Sequence, residues 1–490
     1  MTLESSTRGP HLAYAIVVAV AFFLANLIGL DRSPTVWQDE VTLNDPARQF
    51  VQTGEFRSRV FSDVPGFEHG YLWQPPAHTC VAIAAYRIFG FGIWQTRIPP
   101  LLFGAGSVFL VYCVTWRISR NTRAAVLASL LWALQPGFIQ MVRSGRMDAQ
   151  CIFFVVLSTL LAIRAIQSFS SLIGYAVAGL AGGIGITTHP IALFWAAGIG
   201  LMLLAARRGK WLPAIAFAVG AALPVAGWLG YASERLDVFR AQFLNHAGHM
   251  VASGTVATRT VAEISKYFIT YPLVLPEFLV LLGSLAYFGF QSRVSAQIRF
   301  GMMAIVALLF LPGPVFKLNV SVFRFMHPVV IFCITGGMML SDLIERSSTR
   351  SRPWLKNAAI LLAGLTIANV LVVGLLARYL VLFLQWRERD YRQVDRAVAV
   401  YVKPGMVVAA DPQLWYAIER CGGLQESLNV EAPDPARFLY VIRAVKPERS
   451  SAPFGYVKVG HFGKPFSPVF NKKLTTEDYD MDVFRSTLMP

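Results

Sequence analysis

Acidic residues at the ends of two hydrophobic segments are the side chains best suited to chemistry in this chain. Asp39 and Glu40 closely follow the first hydrophobic segment, and Asp148 closely follows the third. Carboxylates are costly next to hydrocarbon and tend to be kept there for chemistry or transport. In such a place they can act as a general base on a hydroxyl group, stabilise an oxocarbenium-like carbon or hold a cation. We therefore take Asp39, Glu40 and Asp148 as candidate catalytic residues.

Asp39 also has a simpler interpretation, as the N-cap of a helix that begins at Glu40. The reciprocal capping residue is missing, because position 42 is Thr rather than Glu or Gln. On Asp39 alone, both interpretations stay open. Asp148 is expected on the same side of the membrane from a different loop, and this favours a shared site.

Basic and polar residues near the two acids could bind a phosphate. Arg97, Arg146 and Arg324 are all predicted near the outer face, and a guanidinium group binds phosphate through two hydrogen bonds. The alternative for each arginine is an anchor at the membrane interface. His189 lies between two hydrophobic segments on the outer side. It is either a polar residue with satisfied hydrogen bonds or part of the site.

The composition indicates a protein that crosses a membrane several times. Hydrophobic residues make up 55% of the chain and charged residues 15%, and the mean hydropathy is +0.51. The net charge of +16 does not indicate nucleic-acid binding, because the arginines cluster in short gaps between apolar segments. The five cysteines are scattered and predict neither a disulfide framework nor a metal site. The sequence leaves open whether a divalent metal ion takes part, and it indicates no other cofactor.

About eleven apolar segments are candidates for transmembrane helices. Their approximate bounds are 11–30, 98–116, 124–142, 150–167, 172–188, 190–206, 211–231, 267–289, 299–316, 325–342 and 357–383. The basic connections put the N-terminus in the cytoplasm, and the loop 31–97 and the C-terminus outside. We thus predict an all-α polytopic membrane module over residues 1–385 and a small extracytoplasmic α/β domain over residues 386–490.

Both outer regions contain further predicted elements. In the first outer loop, apolar spacing over 40–52 predicts an amphipathic helix in the membrane interface. The apolar run 77–89 follows Gln74-Pro75-Pro76 and is too short to span, so we expect an interfacial or re-entrant helix. The C-terminal domain is predicted to contain helices over 391–402 and 414–420 and strands over 406–410 and 438–444.

Several of these motifs together resemble membrane glycosyltransferases of the GT-C fold. The resemblance covers about residues 35–200 well and extends more loosely to Pro328. The chain is similar to protein O-mannosyltransferases and to the transferases that add aminoarabinose or galacturonic acid to lipid A. The motifs are, in chain order, Asp39-Glu40, Ala47-Arg48, Gly54-Glu55-Phe56, Gln74-Pro75-Pro76, Arg97-Ile98-Pro99 and Asp148.

The resemblance implies an inverting transferase that uses a polyprenyl-phosphate sugar at the outer face of the bacterial cytoplasmic membrane. Its acceptor would be an envelope lipid, lipopolysaccharide, glycan or protein. By the same resemblance Asp39 occupies the catalytic position beside Glu40, and Asp148 is the acid of the second loop. Arg324 stands where relatives often carry an arginine. The lipid A transferases have a lysine where this chain has Gln74. Gln74 can donate a hydrogen bond to the donor phosphate but carries no charge.

The alternative function is an envelope lipid or sugar transporter or flippase. Transporters tend to hold polar residues near the membrane midplane and to consist of repeated halves. Here the acids lie at the outer edge and no repeat is visible, which favours the transferase. The aromatic run 67–73 could stack on a sugar ring or form part of an interfacial aromatic belt.

Overall fold

The computed structural model describes most of the chain. The described residues are 8–62, 64, 66–67, 69–168, 171–206, 210–250, 254–259, 261, 275–311, 322–349, 357, 361, 364–446, 451–467, 469 and 478–489. They form a bundle of helices followed by a small α/β unit.

Helices of the bundle follow the apolar segments of the chain. They are α1 (Arg8–Leu27), α2 (Gln38–Thr53), α3 (Ala77–Phe89), α4 (Ile93–Ser119), α5 (Thr122–Ala133), α6 (Pro136–Val142), α7 (Asp148–Gln167), α8 (Leu172–Thr188), α9 (Ala192–Ala206), α10 (Leu212–Ser233), α11 (Leu236–Met250), α12 (Leu275–Gly289), α13 (Ala296–Phe310), α14 (Val322–Thr349) and α15 (Ala377–Leu384), the last preceded by a π-helical stretch, Val370–Leu376. Apolar side chains of α1, α4–α10 and α12–α14 share one large core.

Five described helices are long and apolar enough to cross a membrane, and α5 with α6 would make a sixth. The predicted segments 172–188 and 190–206 form apolar helices of 17 and 15 residues. The predicted segments 267–289, 299–316 and 357–383 lie partly outside the described residues. The protein is therefore a multi-pass helical membrane protein, and the number of about eleven spans stays a prediction. The five helices are Ile93–Ser119, Asp148–Gln167, Leu212–Ser233, Met326–Glu345 and Gly364–Leu384.

The predicted span 124–142 is broken into two helices. α5 ends at Ala133 and α6 begins at Pro136, with a 65° bend between them. Pro136 is the first residue of α6, a position that proline favours because the N–H group it lacks would have no partner in the first turn of a helix. The connection 143–147 then leads directly from α6 to Asp148.

Arg143 anchors this connection to the end of α1. Its side chain is completely buried and donates hydrogen bonds to the carbonyl oxygens of Gly29 at 2.8 Å and of Ile28 and Ser33 at 3.0 Å. Carbonyl groups at the end of a helix lack partners within the helix and favour a nearby cation. Arg143 thereby fixes the segment that leads to Asp148 against α1.

The predicted helix over 40–52 is present as α2, but its surroundings differ from the prediction. Its polar residues Asn44, Asp45 and Gln49 are completely buried. Asp45 accepts hydrogen bonds from the Ser58 hydroxyl at 2.9 Å and from the Val60 N–H at 3.2 Å. α2 is therefore covered by protein on both faces, which the sequence did not predict, and its place at the level of the membrane interface stays a prediction.

The chain after α15 forms an α/β unit. Its elements are α16 (Tyr391–Tyr401), β1 (Val407–Ala410), α17 (Trp415–Arg420), β2 (Leu424–Ser427), β3 (Tyr440–Ala444), β4 (Tyr456–Phe462) and β5 (Met481–Ser486). The five strands form one sheet in the order β2-β1-β3-β5-β4. β1 is parallel to β2 and β3, and β5 is antiparallel to β3 and β4. The sequence predicted α16, α17, β1 and β3 to within a few residues and missed the other three strands.

The α/β unit and the loop 31–97 share one apolar core. Val36, Val41 and Ile93 from the loop region pack in the same cluster as Trp415 and Tyr416 of α17. Burial of this shared surface joins the unit to α2 through the hydrophobic effect. The position of α2 thus depends on residues near both ends of the chain.

Candidate active site

Asp39 and Asp148 meet at one guanidinium group. Arg146 donates a hydrogen bond from Nε to Asp148 Oδ2 at 2.7 Å and another from Nη1 to Asp39 Oδ2. The Asp148 side chain is completely buried, whereas the Asp39 side chain is 47% exposed. The two acids therefore lie side by side, one inside the protein and one accessible from outside it.

The local sequence explains where Asp39 lies. α2 begins at Gln38 with Trp37 as its N-cap, so Asp39 lies within the first turn and the N-cap interpretation was wrong. A carboxylate is favourable there because the free N–H groups of the first turn carry partial positive charge. Asp148 occupies the first turn of α7 in the same way. The Trp37 ring lies 5.2 Å from the Arg146 guanidinium group and covers the ion pairs on one side.

Gly145 gives the connection before α7 the shape that brings Arg146 to Asp39. Its φ of +63° is in the left-handed region, which glycine adopts without strain. A Cβ atom at this position would lie 2.9 Å from Glu40 Cγ and 2.9 Å from Thr96 Cγ2. The missing side chain therefore allows the connection to approach α2.

Glu40 and Arg97 form an ion pair that is completely buried. Arg97 donates from Nε to Glu40 Oε1 at 2.8 Å and from Nη2 to Oε2 at 2.7 Å, while Nη1 donates to the carbonyl oxygens of Leu30 and Pro34 at 2.8 Å. The hydroxyl of Tyr416 donates to Glu40 Oε1 at 3.0 Å. Glu40 and Arg97 are thus both occupied by partners within the protein.

Several buried atoms next to this site have no hydrogen-bond partner among the described residues. Asp148 Oδ1, Gln150 Oε1 and His78 Nε2 are among them. Gln150 donates from Nε2 to the Ala77 carbonyl at 3.3 Å, so α7 and the start of α3 adjoin here. Burial lowers the pKa of His78 to about 4, and its ring is neutral at pH 7. Buried polar atoms are nearly always paired in proteins, so this cluster is suited to a ligand that brings hydroxyl groups.

His189 and Gln74, both predicted to bind substrate, lie on segments that border this cluster. His189 Nδ1 accepts a hydrogen bond from the Ile191 N–H at 3.1 Å, so its Nε2 carries the proton when the ring is neutral. Its ring centroid is 6.3 Å from that of His327. Gln74 precedes α3, and its Oε1 is buried without a partner among the described residues.

The cationic side chains of the site that the structure describes are already paired with carboxylates of the protein. Arg97 is paired with Glu40, and two carboxylates share Arg146. The side chain of Arg324 lies outside the described residues, although its backbone belongs to α14. Among the residues that the structure describes, no three His, Cys, Asp or Glu side chains are grouped so as to hold a metal ion.

The segment before Gln74 is held by Gln242 of α11. This buried amide accepts hydrogen bonds from the N–H groups of Leu72 at 2.8 Å and Trp73 at 3.1 Å, and donates to the carbonyl oxygens of Gly66 at 2.8 Å and Gly70 at 2.7 Å. In the aromatic run 67–73, Phe67 and Tyr71 are buried and contact each other. These two rings therefore belong to the protein core and are not available for stacking on a sugar.

Sequence reasoning did not identify His78, Gln150, Tyr416 or Gln242. Each owes its place to a contact with a distant part of the chain: Tyr416 and Glu40, for example, are separated by 376 positions. Of these four residues, His78 alone could have been noticed in the sequence, because it lies just after the Gln74-Pro75-Pro76 motif. The other three stand in segments without a recognisable motif.

Part of this chain is similar to a described family and to several curated proteins. Residues 73–228 match the family described as dolichyl-phosphate-mannose-protein mannosyltransferase. The putative mannosyltransferase YkcB of Bacillus subtilis is 32% identical over 121 residues, which is 25% of this chain and 17% of that protein. The undecaprenyl phosphate-alpha-4-amino-4-deoxy-L-arabinose arabinosyl transferase of Pseudomonas aeruginosa is 27% identical over 175 residues, 35% of this chain and 31% of that protein. The matches thus span less than a third of the length of these relatives.

Solved structures resemble the whole chain. ArnT from Cupriavidus metallidurans bound to undecaprenyl phosphate superposes with a TM-score of 0.64 at 15% identity, over 96% of this chain and 98% of that one. The oligosaccharyltransferase of Archaeoglobus fulgidus tethered to an acceptor peptide has a TM-score of 0.53 at 13% identity, over 88% of this chain and 69% of that one. The chain has the GT-C fold.

Proposed function

We propose that the protein is an inverting glycosyltransferase that moves a sugar from a polyprenyl-phosphate donor to an envelope acceptor. The observation that carries the proposal is the pair of acids on Arg146, with Asp39 accessible and Asp148 buried. Support also comes from the named relatives, which are mannosyl and arabinosyl transferases, and from the undecaprenyl phosphate bound by ArnT. Together these observations favour a transferase over a transporter.

In the proposed reaction Asp39 acts as the base. Its carboxylate takes the proton of the acceptor hydroxyl, the acceptor oxygen bonds to C1 of the sugar, and the bond from C1 to the phosphate oxygen breaks. Polyprenyl phosphate leaves with the negative charge. Arg146 holds the Asp39 carboxylate in place through one oxygen, so the other oxygen is available to the acceptor.

The remaining site residues are proposed to take three different roles. Asp148 and the unpaired atoms of Gln150 and His78 would accept hydrogen bonds from sugar hydroxyls, with His189 and Gln74 at the border. Arg324 would meet the phosphate, because the described cations are already paired. Glu40 and Arg97 would position α2 instead of touching the substrate, since both are completely buried.

The acceptor is proposed only by class: a lipid, lipopolysaccharide, glycan or protein of the envelope. The site is proposed to face outward from the cytoplasmic membrane of a bacterium, with the α/β unit on the same side. A reporter enzyme fused after Pro490 should then be active only outside the cytoplasm, and one inserted in the connection 120–121 only inside. The reverse result would put the acids in the cytoplasm and remove the basis for this donor.

The function is tested with the full-length protein in lipid nanodiscs. One arm supplies polyprenyl-phosphate mannose, aminoarabinose or galacturonic acid, another supplies nucleotide sugars, and both include separated lipid, glycan and protein fractions of a bacterial envelope. We expect release of polyprenyl phosphate with one lipid-linked donor and none with a nucleotide sugar alone. Turnover of a nucleotide sugar without lipid carrier would contradict the proposal. Donor movement across a proteoliposome without cleavage would establish a transporter instead.

A further inference from the structure

We propose that the C-terminal α/β unit is a working part of the active site, in which the Tyr416 hydroxyl positions Glu40 and thereby Asp39. The inference rests on the proposed function and adds a positioning residue to it. It concerns α17, the short helix that faces α2.

The first contact is the hydrogen bond from Tyr416 Oη to Glu40 Oε1 at 3.0 Å, between two completely buried side chains. Glu40 has two other donors, both from Arg97. Tyr416 is therefore the single described donor that reaches this carboxylate from the C-terminal unit. Burial raises the pKa of Tyr416 well above its usual range, so the hydroxyl keeps the proton that it donates.

A second contact comes from Glu419, one turn further along α17. It accepts hydrogen bonds from Arg48 Nε at 3.4 Å and from Arg59 Nη1 at 3.1 Å, and its side chain is buried. Arg48 belongs to the second half of α2 and Glu40 to its first turn. One short helix thus holds α2 at two points.

The orientation of α17 is itself fixed by aromatic contacts. The Phe91 ring, between α3 and α4, lies 5.0 Å from that of Trp415 and 5.3 Å from that of Tyr416. Near β2, the Ser62 hydroxyl donates to the Glu426 carbonyl at 2.7 Å. These contacts hold α17 in place, and with it the Tyr416 hydroxyl that reaches Glu40.

The chemical consequence falls on Asp39, which is the residue before Glu40 in the same helical turn. A shift of Glu40 moves the Asp39 backbone and changes the angle at which its carboxylate meets the acceptor. Misplacement by about 1 Å can cost on the order of a hundredfold in rate. Donor affinity should change little, because neither Tyr416 nor Glu40 is proposed to touch the donor.

The test compares Tyr416→Phe with Tyr456→Phe in nanodiscs, using the lipid-linked donor that the wild type consumes. Both changes remove one buried hydroxyl, but the partners of the Tyr456 hydroxyl among the described residues, the carbonyl oxygens of Asp434 and Phe438, both lie within the α/β unit. We expect Tyr416→Phe to lower kcat roughly tenfold to a hundredfold, with KM for the donor within about twofold of the wild type. Tyr456→Phe should keep the wild-type kcat. Equal kcat values for the two variants overturn the inference.

A double-mutant cycle with Glu40→Gln separates positioning from general stability. If Tyr416 acts through Glu40, adding Tyr416→Phe to the Glu40→Gln variant should lower kcat little further. If the fold-losses in kcat of the two single variants instead multiply, the two residues act independently and the inference is overturned. If Tyr416→Phe does not fold, Glu419→Ala, which removes the acceptor of both arginines, tests the same docking of α17 on α2, and an unchanged kcat there overturns the inference. A wild type inactive with every lipid-linked donor defeats the proposed function. An active wild type with a normal Tyr416→Phe variant defeats only the positioning role.

Discussion

Asn44 and Gly145 join the two segments that carry the acids. The Asn44 amide donates to the Gly145 carbonyl at 2.8 Å and to the Glu40 carbonyl at 2.7 Å. One buried side chain of α2 therefore binds both its own first turn and the connection that carries Arg146. The separation between Asp39 and Asp148 is set by backbone contacts as well as by the shared guanidinium group.

Gly145→Ala should disturb this junction more than a glycine change elsewhere. The alanine would adopt an unfavourable φ and place its Cβ 2.9 Å from Glu40 Cγ. Gly54→Ala is the matched control, because Gly54 has a φ of +77° and a Cβ added there would have nothing within 4 Å. Left-handed backbone alone costs about 1–2 kcal/mol. We expect Gly145→Ala to show a larger fall in Tm than Gly54→Ala and a loss of turnover, and similar values for both would show that the contact with Glu40 is unimportant.

Asp39→Asn should abolish transfer while leaving the fold intact. The change keeps the volume and removes the base, which typically costs about 10²–10⁴-fold in rate. Glu55→Gln serves as the control, because Glu55 is an exposed carboxylate of the same loop that pairs with Arg57. The measurement is initial rate at saturating donor, together with Tm in nanodiscs. An active Asp39→Asn protein would leave Asp39 with only a structural role in α2.

Gln150→Leu tests the proposed contacts to sugar hydroxyls. Loss of one hydrogen bond from the substrate should raise KM for the donor up to about tenfold. Gln167, at the opposite end of α7, also has an Oε1 without a partner among the described residues, so Gln167→Leu is a matched control. We expect the control to keep the wild-type KM. If both variants bind donor normally, Gln150 does not face the sugar.

Glu419→Gln should have a pH-dependent effect on stability. Burial raises the pKa of Glu419 above its ordinary value of 4.5, although Arg48 and Arg59 oppose the shift; Asp45 adds to it. The stabilisation from a raised carboxyl pKa is complete below pH 4.5 and is lost as the pH rises through the folded-state value. The Tm of Glu419→Gln relative to wild type should therefore increase from pH 4.5 toward neutrality, as measured by a thermal scan at several pH values. A difference in Tm that falls with pH would mean that the ion pairs outweigh burial.

The acids and the helical bundle could be predicted because their signals are local. Apolar runs mark the helices, and Asp39 and Asp148 stand next to such runs. The interior of the site could not be predicted in this way. Arg97, which the sequence suggested as a phosphate ligand, is occupied by Glu40 and by the carbonyl oxygens of Leu30 and Pro34.

α2 shows what an apolar stripe in the sequence leaves undetermined. Its apolar stripe was visible, but a stripe does not reveal what covers the opposite face. That face holds Asp45, whose partners come from the following loop, and Arg48, whose partner Glu419 lies 371 positions later. In the α/β unit, β2 has 4 residues, too few to show a clear alternation, and β4 is exposed over much of its length, so neither carries a strong apolar signal. β5 was also missed, although most of its residues are buried.

The bond between Tyr416 and Glu40 has a consequence for the making of the protein. Glu40 leaves the ribosome early and reaches the membrane with the first loop, but its partner follows 376 positions later. Until α17 has been synthesised and has folded against α2, the buried carboxylate lacks one of its donors and α2 lacks part of its cover. Under the proposed function, sugar transfer at the full rate would therefore begin only on a completed polypeptide.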